Sequence, residues 1–109
     1  MPQAQFIHQG DAVDYTPTAD VAAGYVVVQD ELVGVTKRDI KADELGALAI
    51  EGVFDITKES TDVIAAGNKL YWDAAGSKAV TDPTGNKLLG KAVADAGSGT
   101  STVRTRLSQ

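Results

Sequence analysis

The chain has 109 residues, a length that suits one domain able to bury roughly two-thirds of the surface its unfolded form would expose. Ten basic residues against fifteen acidic ones leave a formal charge of −5, the wrong sign for affinity gained by neutralising phosphates, so direct nucleic-acid binding is disfavoured. There is no cysteine, which removes disulfides, thiolate metal sites and a cysteine nucleophile together.

Apolar residues make up 43% of the sequence, but much of that share is alanine, and the rings are two Phe, three Tyr and one Trp. A lean core of Val, Leu and Ile is expected. Met1-Pro2-Gln3-Ala4-Gln5 lacks a positively charged start and a following apolar run, and nowhere do eighteen apolar residues follow one another. Neither an ordinary signal peptide nor a membrane span is expected.

Short apolar stretches alternate with turn residues, and none keeps an i, i+3, i+4, i+7 pattern over a dozen positions, which argues for strands. In chain order the pattern predicts strands over residues 5–8, 12–16, 25–29, 31–37, 47–58, 69–73, 78–81, 88–95 and 102–107. In the fifth, Leu48, Ile50, Phe54 and Ile56 share one face and Ala49, Glu51 and Asp55 the other, the period of a half-buried strand. Gly52 interrupts it and marks a bulge or a bend. In the last, Val103, Thr105 and Leu107 alternate with Arg104 and Arg106, so the arginine face is either solvated or bound to a partner. Residues 73–77, 82–86 and 96–99 read as hairpin loops. One helical turn is predicted near residues 60–66, capped by Ser60 or Thr61 and ended by Gly67.

The sequence also echoes itself. Asp20-Val21-Ala22-Ala23-Gly24 precedes one strand, and Asp62-Val63-Ile64-Ala65-Ala66-Gly67 another; Leu32-Val33-Gly34 is matched later by Leu88-Leu89-Gly90. The spacing differs because the second half carries an extra hairpin, the mark of a duplicated β unit within one domain. Residues 1–109 are therefore read as one domain, with 1–5 as an arm.

Chemical motifs fare poorly. Gly85-Asn86-Lys87-Leu88-Leu89-Gly90-Lys91-Ala92 lies one residue from a phosphate-binding loop, but alanine stands where a magnesium-binding hydroxyl is needed, and Thr81-Asp82-Pro83-Thr84 replaces the strand that should lead in. His8 is the sole histidine, so a triad or a multi-imidazole metal site is out of reach unless subunits pool residues, and a strand-end side chain contacting its neighbours is the plainer reading. The acidic pairs Asp11 with Asp14, Asp30 with Glu31, and Asp43 with Glu44 sit beside turns, where solvated carboxylates are commonplace, and no calcium-loop spacing occurs. No catalytic residue, cofactor or metal site is read. Trp72, beside Leu70 and Tyr71, shares Leu70's face on strict alternation and is read as a core or subunit-interface anchor.

Phe6-Ile7-His8-Gln9-Gly10-Asp11, Ala22-Ala23-Gly24, Leu32-Val33-Gly34-Val35, Glu51-Gly52-Val53-Phe54, Ala66-Gly67-Asn68-Lys69-Leu70-Tyr71-Trp72-Asp73, Leu89-Gly90-Lys91-Ala92 and Thr102-Val103-Arg104-Thr105-Arg106-Leu107 together give a nearly full-length pattern. It resembles the capsid cement, or head-decoration, proteins of tailed bacteriophages and prophages, a family often mislabelled as RecA/RadA-like phage recombinases. The resemblance implies an all-β barrel or sandwich of short antiparallel strands, made in the bacterial host cytoplasm and located on the outer surface of the phage head. It implies a homo-oligomer, trimer before dimer, that clamps neighbouring major capsid subunits, with no enzyme activity and neither nucleic acid nor membrane as partner. It further implies that the arm Pro2, Gln3, Ala4 and Gln5 orders on the capsid by adding a strand to a sheet edge, the alternative being a frayed terminus. The competing reading is a β-rich carbohydrate- or ligand-binding module of a tail or fibre, which requires an exposed aromatic platform at Tyr71 or Trp72. A nucleotide-dependent recombination factor would instead bind ATP at residues 85–91.

Overall fold

The computed structural model describes residues 3–7 and 9–108, and among them the only regular elements are strands. These are β1 (Ala12–Tyr15), β2 (Val26–Gln29), β3 (Leu32–Val35), β4 (Gly46–Ala49), β5 (Gly52–Thr57), β6 (Lys69–Asp73), β7 (Lys78–Val80), β8 (Lys87–Ala92) and β9 (Thr102–Leu107). They form two antiparallel sheets, ordered β1-β4-β3-β2 and β5-β9-β8-β6-β7. The period-two pattern decides which side of each strand is buried. In β9, Val103, Thr105 and Leu107 are buried while Thr102, Arg104 and Arg106 face out. The all-β, sandwich-like class expected from the sequence is the one observed.

The long strand predicted over 47–58 is two strands in different sheets. β4 ends at Ala49, the chain crosses over at Ile50 and Glu51, and β5 begins at Gly52 with φ of 121°, a conformation that side chains other than hydrogen resist. Face alternation survives the break, so the pattern alone could not reveal it. Residues 5–7 form no strand, and His8 lies outside the described residues. The helical turn expected at 60–66 is absent: Ile64 donates to and accepts from Ala96 at 2.9 and 2.8 Å. Its backbone is thereby committed to an antiparallel bridge instead of an i to i+4 ladder. Residues 82–86 are not a hairpin loop, since β7 and β8 both pair with β6 and the connection carries the chain from one side of β6 to the other.

The two sheets repeat one plan. Leaving out β7, strands β5, β6, β8 and β9 occupy the positions of β1, β2, β3 and β4. Equivalent bonds hold the connections. Val21 bridges Ile40 where Ile64 bridges Ala96, and Asp39 accepts from the Ala23 amide at 2.8 Å as Asp95 does from that of Ala66, also at 2.8 Å. Gly24 and Gly67, each ending its echo motif, donate to Thr36 and Ala92. The likeness among short Ala/Gly strings is thus a likeness of backbone architecture.

The core lies between the sheets and inside the second. Val33 and Val35 of β3 join Ile56, Leu70, Leu89, Val103 and Leu107 of the larger sheet in one buried cluster. A parallel bridge from Lys58 to Ala79 links the ends of β5 and β7, so the five-stranded sheet curls toward closure and protects an edge that would otherwise invite pairing. Lys58 is 4% exposed, and its ammonium donates to the Glu59 and Asp62 carbonyls at 2.9 and 2.7 Å, which meets the requirement that a buried charge be hydrogen-bonded.

Candidate binding surfaces

Nothing in the described residues assembles a reaction centre. No group of three or more His, Asp or Glu side chains among them is placed to hold a metal ion, and no buried side-chain nitrogen or oxygen lacks a partner. The near phosphate loop is spent on structure: Gly85 turns with φ of 74°, residues 87–92 are β8, Leu89 is fully buried, and Lys87 pairs with Glu31 at 2.8 Å. That ion pair raises the Lys87 ammonium above its ordinary value. The acidic pairs lie exposed, Asp14 on β1 and the rest in turns or bends.

Gln3, Ala4 and Gln5 are exposed and belong to no strand, and Pro2 lies outside the described residues. Directly after them Phe6 and Ile7 are 77% and 75% exposed, a pair of large apolar side chains with little cover. Trp72 is half buried and packs with Phe54 and Val26 against the core. One side of it opens, with Tyr25, Phe54 and Asp55, into a cleft of about 410 Å³ between the sheets. Tyr71 opens elsewhere, beside Val63, Lys69 and Pro83. Both rings are half buried and reach different surfaces, so they supply no shared stacking platform for a sugar.

The outer face of the five-stranded sheet carries most of the exposed charge of the second half. Asp55 stands opposite Arg104 across β5 and β9, and the guanidinium donates to both carboxylate oxygens at 3.0 and 3.2 Å. This hydrogen bond holds the Asp55 carboxyl below its ordinary value and raises Arg104. Since a lowered carboxylate contributes stability above its unfolded value and loses it as pH falls through the folded one, the pair should weaken only in acid. An NMR titration of the Asp55 side-chain carbonyl carbon tests this: R104Q should move its midpoint up, and an unmoved midpoint would show that the bond does not form in solution.

Sequence reasoning gave no functional role to Phe6, Ile7, Tyr25, Lys69 or Lys91; Lys91 was weighed only within a phosphate-loop motif that the fold dissolves, and β8 places it outward, on the same face as Arg106. A family model described as "Phage cement protein" matches residues 7–107. No curated protein and no solved structure matches the chain.

Proposed function

Since the chain belongs to the phage cement protein family, a structural and non-enzymatic class that stabilises capsids from the head surface, we propose that it acts as a homo-oligomeric clip spanning neighbouring major capsid subunits. The carrying observation is the family match over residues 7–107. A filled head pushes its shell outward, and a clip that bridges subunits opposes separation through many modest contacts acting together. A trimer is the favoured assembly and a dimer the next.

The arm is given a part in docking. Gln3 to Gln5 are exposed and unpaired into any sheet, followed by the uncovered Phe6 and Ile7; an extended segment of this kind is suited to adding a strand to a capsid sheet edge, backbone bonds giving affinity and the two apolar side chains giving register. Trp72, half buried beside an open cleft, is proposed as an anchor that ties the core to a subunit interface.

Mixing the purified protein with expanded, undecorated heads of its own phage tests the reading. A co-sedimenting complex and a higher shell melting temperature are expected. Removal of residues 1–7 should weaken binding while leaving the protein's own melting temperature in place. Heads that neither bind the protein nor gain thermal stability would overturn the proposed function.

A further inference from the structure

Lys69, Lys91 and Arg106 stand in one cross-strand row. Lys69 is directly opposite Lys91 across β6 and β8, and Lys91 directly opposite Arg106 across β8 and β9. All three face out, and none of their side chains has an ion-pair or hydrogen-bond partner among the described residues. With neighbouring strands about 4.8 Å apart, three cationic stems stand within about 10 Å of one another. Like charges directly opposite across a sheet destabilise it, so this row is unfavourable to the isolated fold. Exposed Val53, opposite Arg106, and exposed Val93, whose amide bonds to Arg104, flank it with apolar surface.

The rest of the chain has the opposite sign. Residues 1–51 carry nine carboxylates against three cations, whereas residues 52–109 carry six against seven. On the four-stranded sheet Asp14 and Glu44 line an open concavity of about 580 Å³ around Leu45, which is 70% exposed; Lys37 and Arg38 line it too. The carboxylates of Asp14 and Glu44 have no partner among the described residues. Asp39 lines the concavity as well, so three carboxylates against two cations surround the projecting leucine, and this net negative, part-apolar surface is the counterpart of a wholly cationic row flanked by valines.

Resting on the reading of the protein as a homo-oligomer, we propose that the Lys69–Lys91–Arg106 face of one copy docks on the Asp14–Asp39–Glu44 surface around Leu45 of the next. The contact joins unlike surfaces, so repetition through a rotation that closes yields a ring, as a cyclic trimer requires. The unlike charges also suppress the face-to-face pairing of two cationic sheets.

Sedimentation velocity of the full chain, with and without its heads, tests the proposal. The wild type should self-associate at low ionic strength and dissociate at least tenfold more readily at about 0.5 M salt, where the screening length falls below about 5 Å. K69E/K91E/R106E and D14K/E44K should each remain monomeric, and an equimolar mixture of the two should associate again into alternating, even-membered species, since two alternating variants cannot close a ring of three. K91Q should associate less than wild type while its monomer melts no lower, because a like-charge neighbour has been removed. Self-association of K69E/K91E/R106E at the wild-type level, or no rescue on mixing, overturns the proposal. So does a wild type that is monomeric free and on heads, with K69E/K91E/R106E failing to bind them: the row would then dock on the capsid protein, and the cement function would stand.

Discussion

Gly90→Ala is expected to lower stability by about 3 kcal/mol and the melting temperature by about 10 °C or more. Gly90 sits in β8 directly opposite Leu107 of β9, and a Cβ there would be driven onto the Arg106 carbonyl oxygen, with the Leu107 Cα only 3.0 Å away. Those atoms cannot retreat, because β9 is held on its other side along the whole of β5 by registers running from Gly52↔Leu107 to Thr57↔Thr102. Gly34, the matching position of the first sheet, is crowded in the same way by Leu48 and the Ala49 carbonyl oxygen. Gly97→Ala serves as the control: nothing lies within 4 Å of the added carbon, so the change should stay within about 0.5 kcal/mol. Thermal and urea melts of the two variants decide the matter. Equal melting for both would mean that β8 and β9 do not approach as described.

Leu89→Ala should cost about 2–5 kcal/mol, the usual range for emptying a buried leucine site. The register between β6 and β8 shifts at Leu70/Tyr71, with Leu70 opposite Gly90 and Tyr71 opposite Leu88, so Leu89 is the extra residue of a bulge. Bulges re-aim side chains, and this one sends Leu89 fully into the cluster it shares with Leu70, Val103 and Leu107. The surrounding strands are fixed on several sides and can collapse only partly into the space left. Val53→Ala, on the exposed face of β5, should by comparison change little. A urea midpoint for Leu89→Ala equal to that of the wild type would place this side chain outside the core.

The strands were legible because their buried faces alternate: Val103, Thr105 and Leu107 against Arg104 and Arg106 is a pattern that only a half-buried strand satisfies. The echo of Ala-Ala-Gly and apolar-apolar-Gly was legible for a related reason, since the same demands recur in both sheets: a positive φ at Gly24 and Gly67, and a neighbouring strand pressed against Gly34 and Gly90. What escaped was anything decided at long range. The passage from β4 to β5 keeps the same alternation on both sides, so nothing in residues 47–58 announces a change of sheet. Residues 60–66 carry helix-capping side chains, yet Ile64 is claimed by Ala96, far along the chain. The cationic row escaped because Lys69, Lys91 and Arg106 are neighbours only through register, and register between β6 and β8 includes a bulge that local pattern does not specify.

The single passage between the sheets at residues 50–52 also has a consequence for synthesis. Every strand partner of the first sheet lies within residues 12–49, so that sheet has all its members as soon as β4 leaves the ribosome. The second behaves otherwise, for β9 sits between β5 and β8: β5 is made first of its sheet and has no full-length neighbour until the last strand arrives. For the time it takes to translate residues 58–101, β5 is a nascent strand in waiting, and the emergence of β9 is the event that completes its sheet.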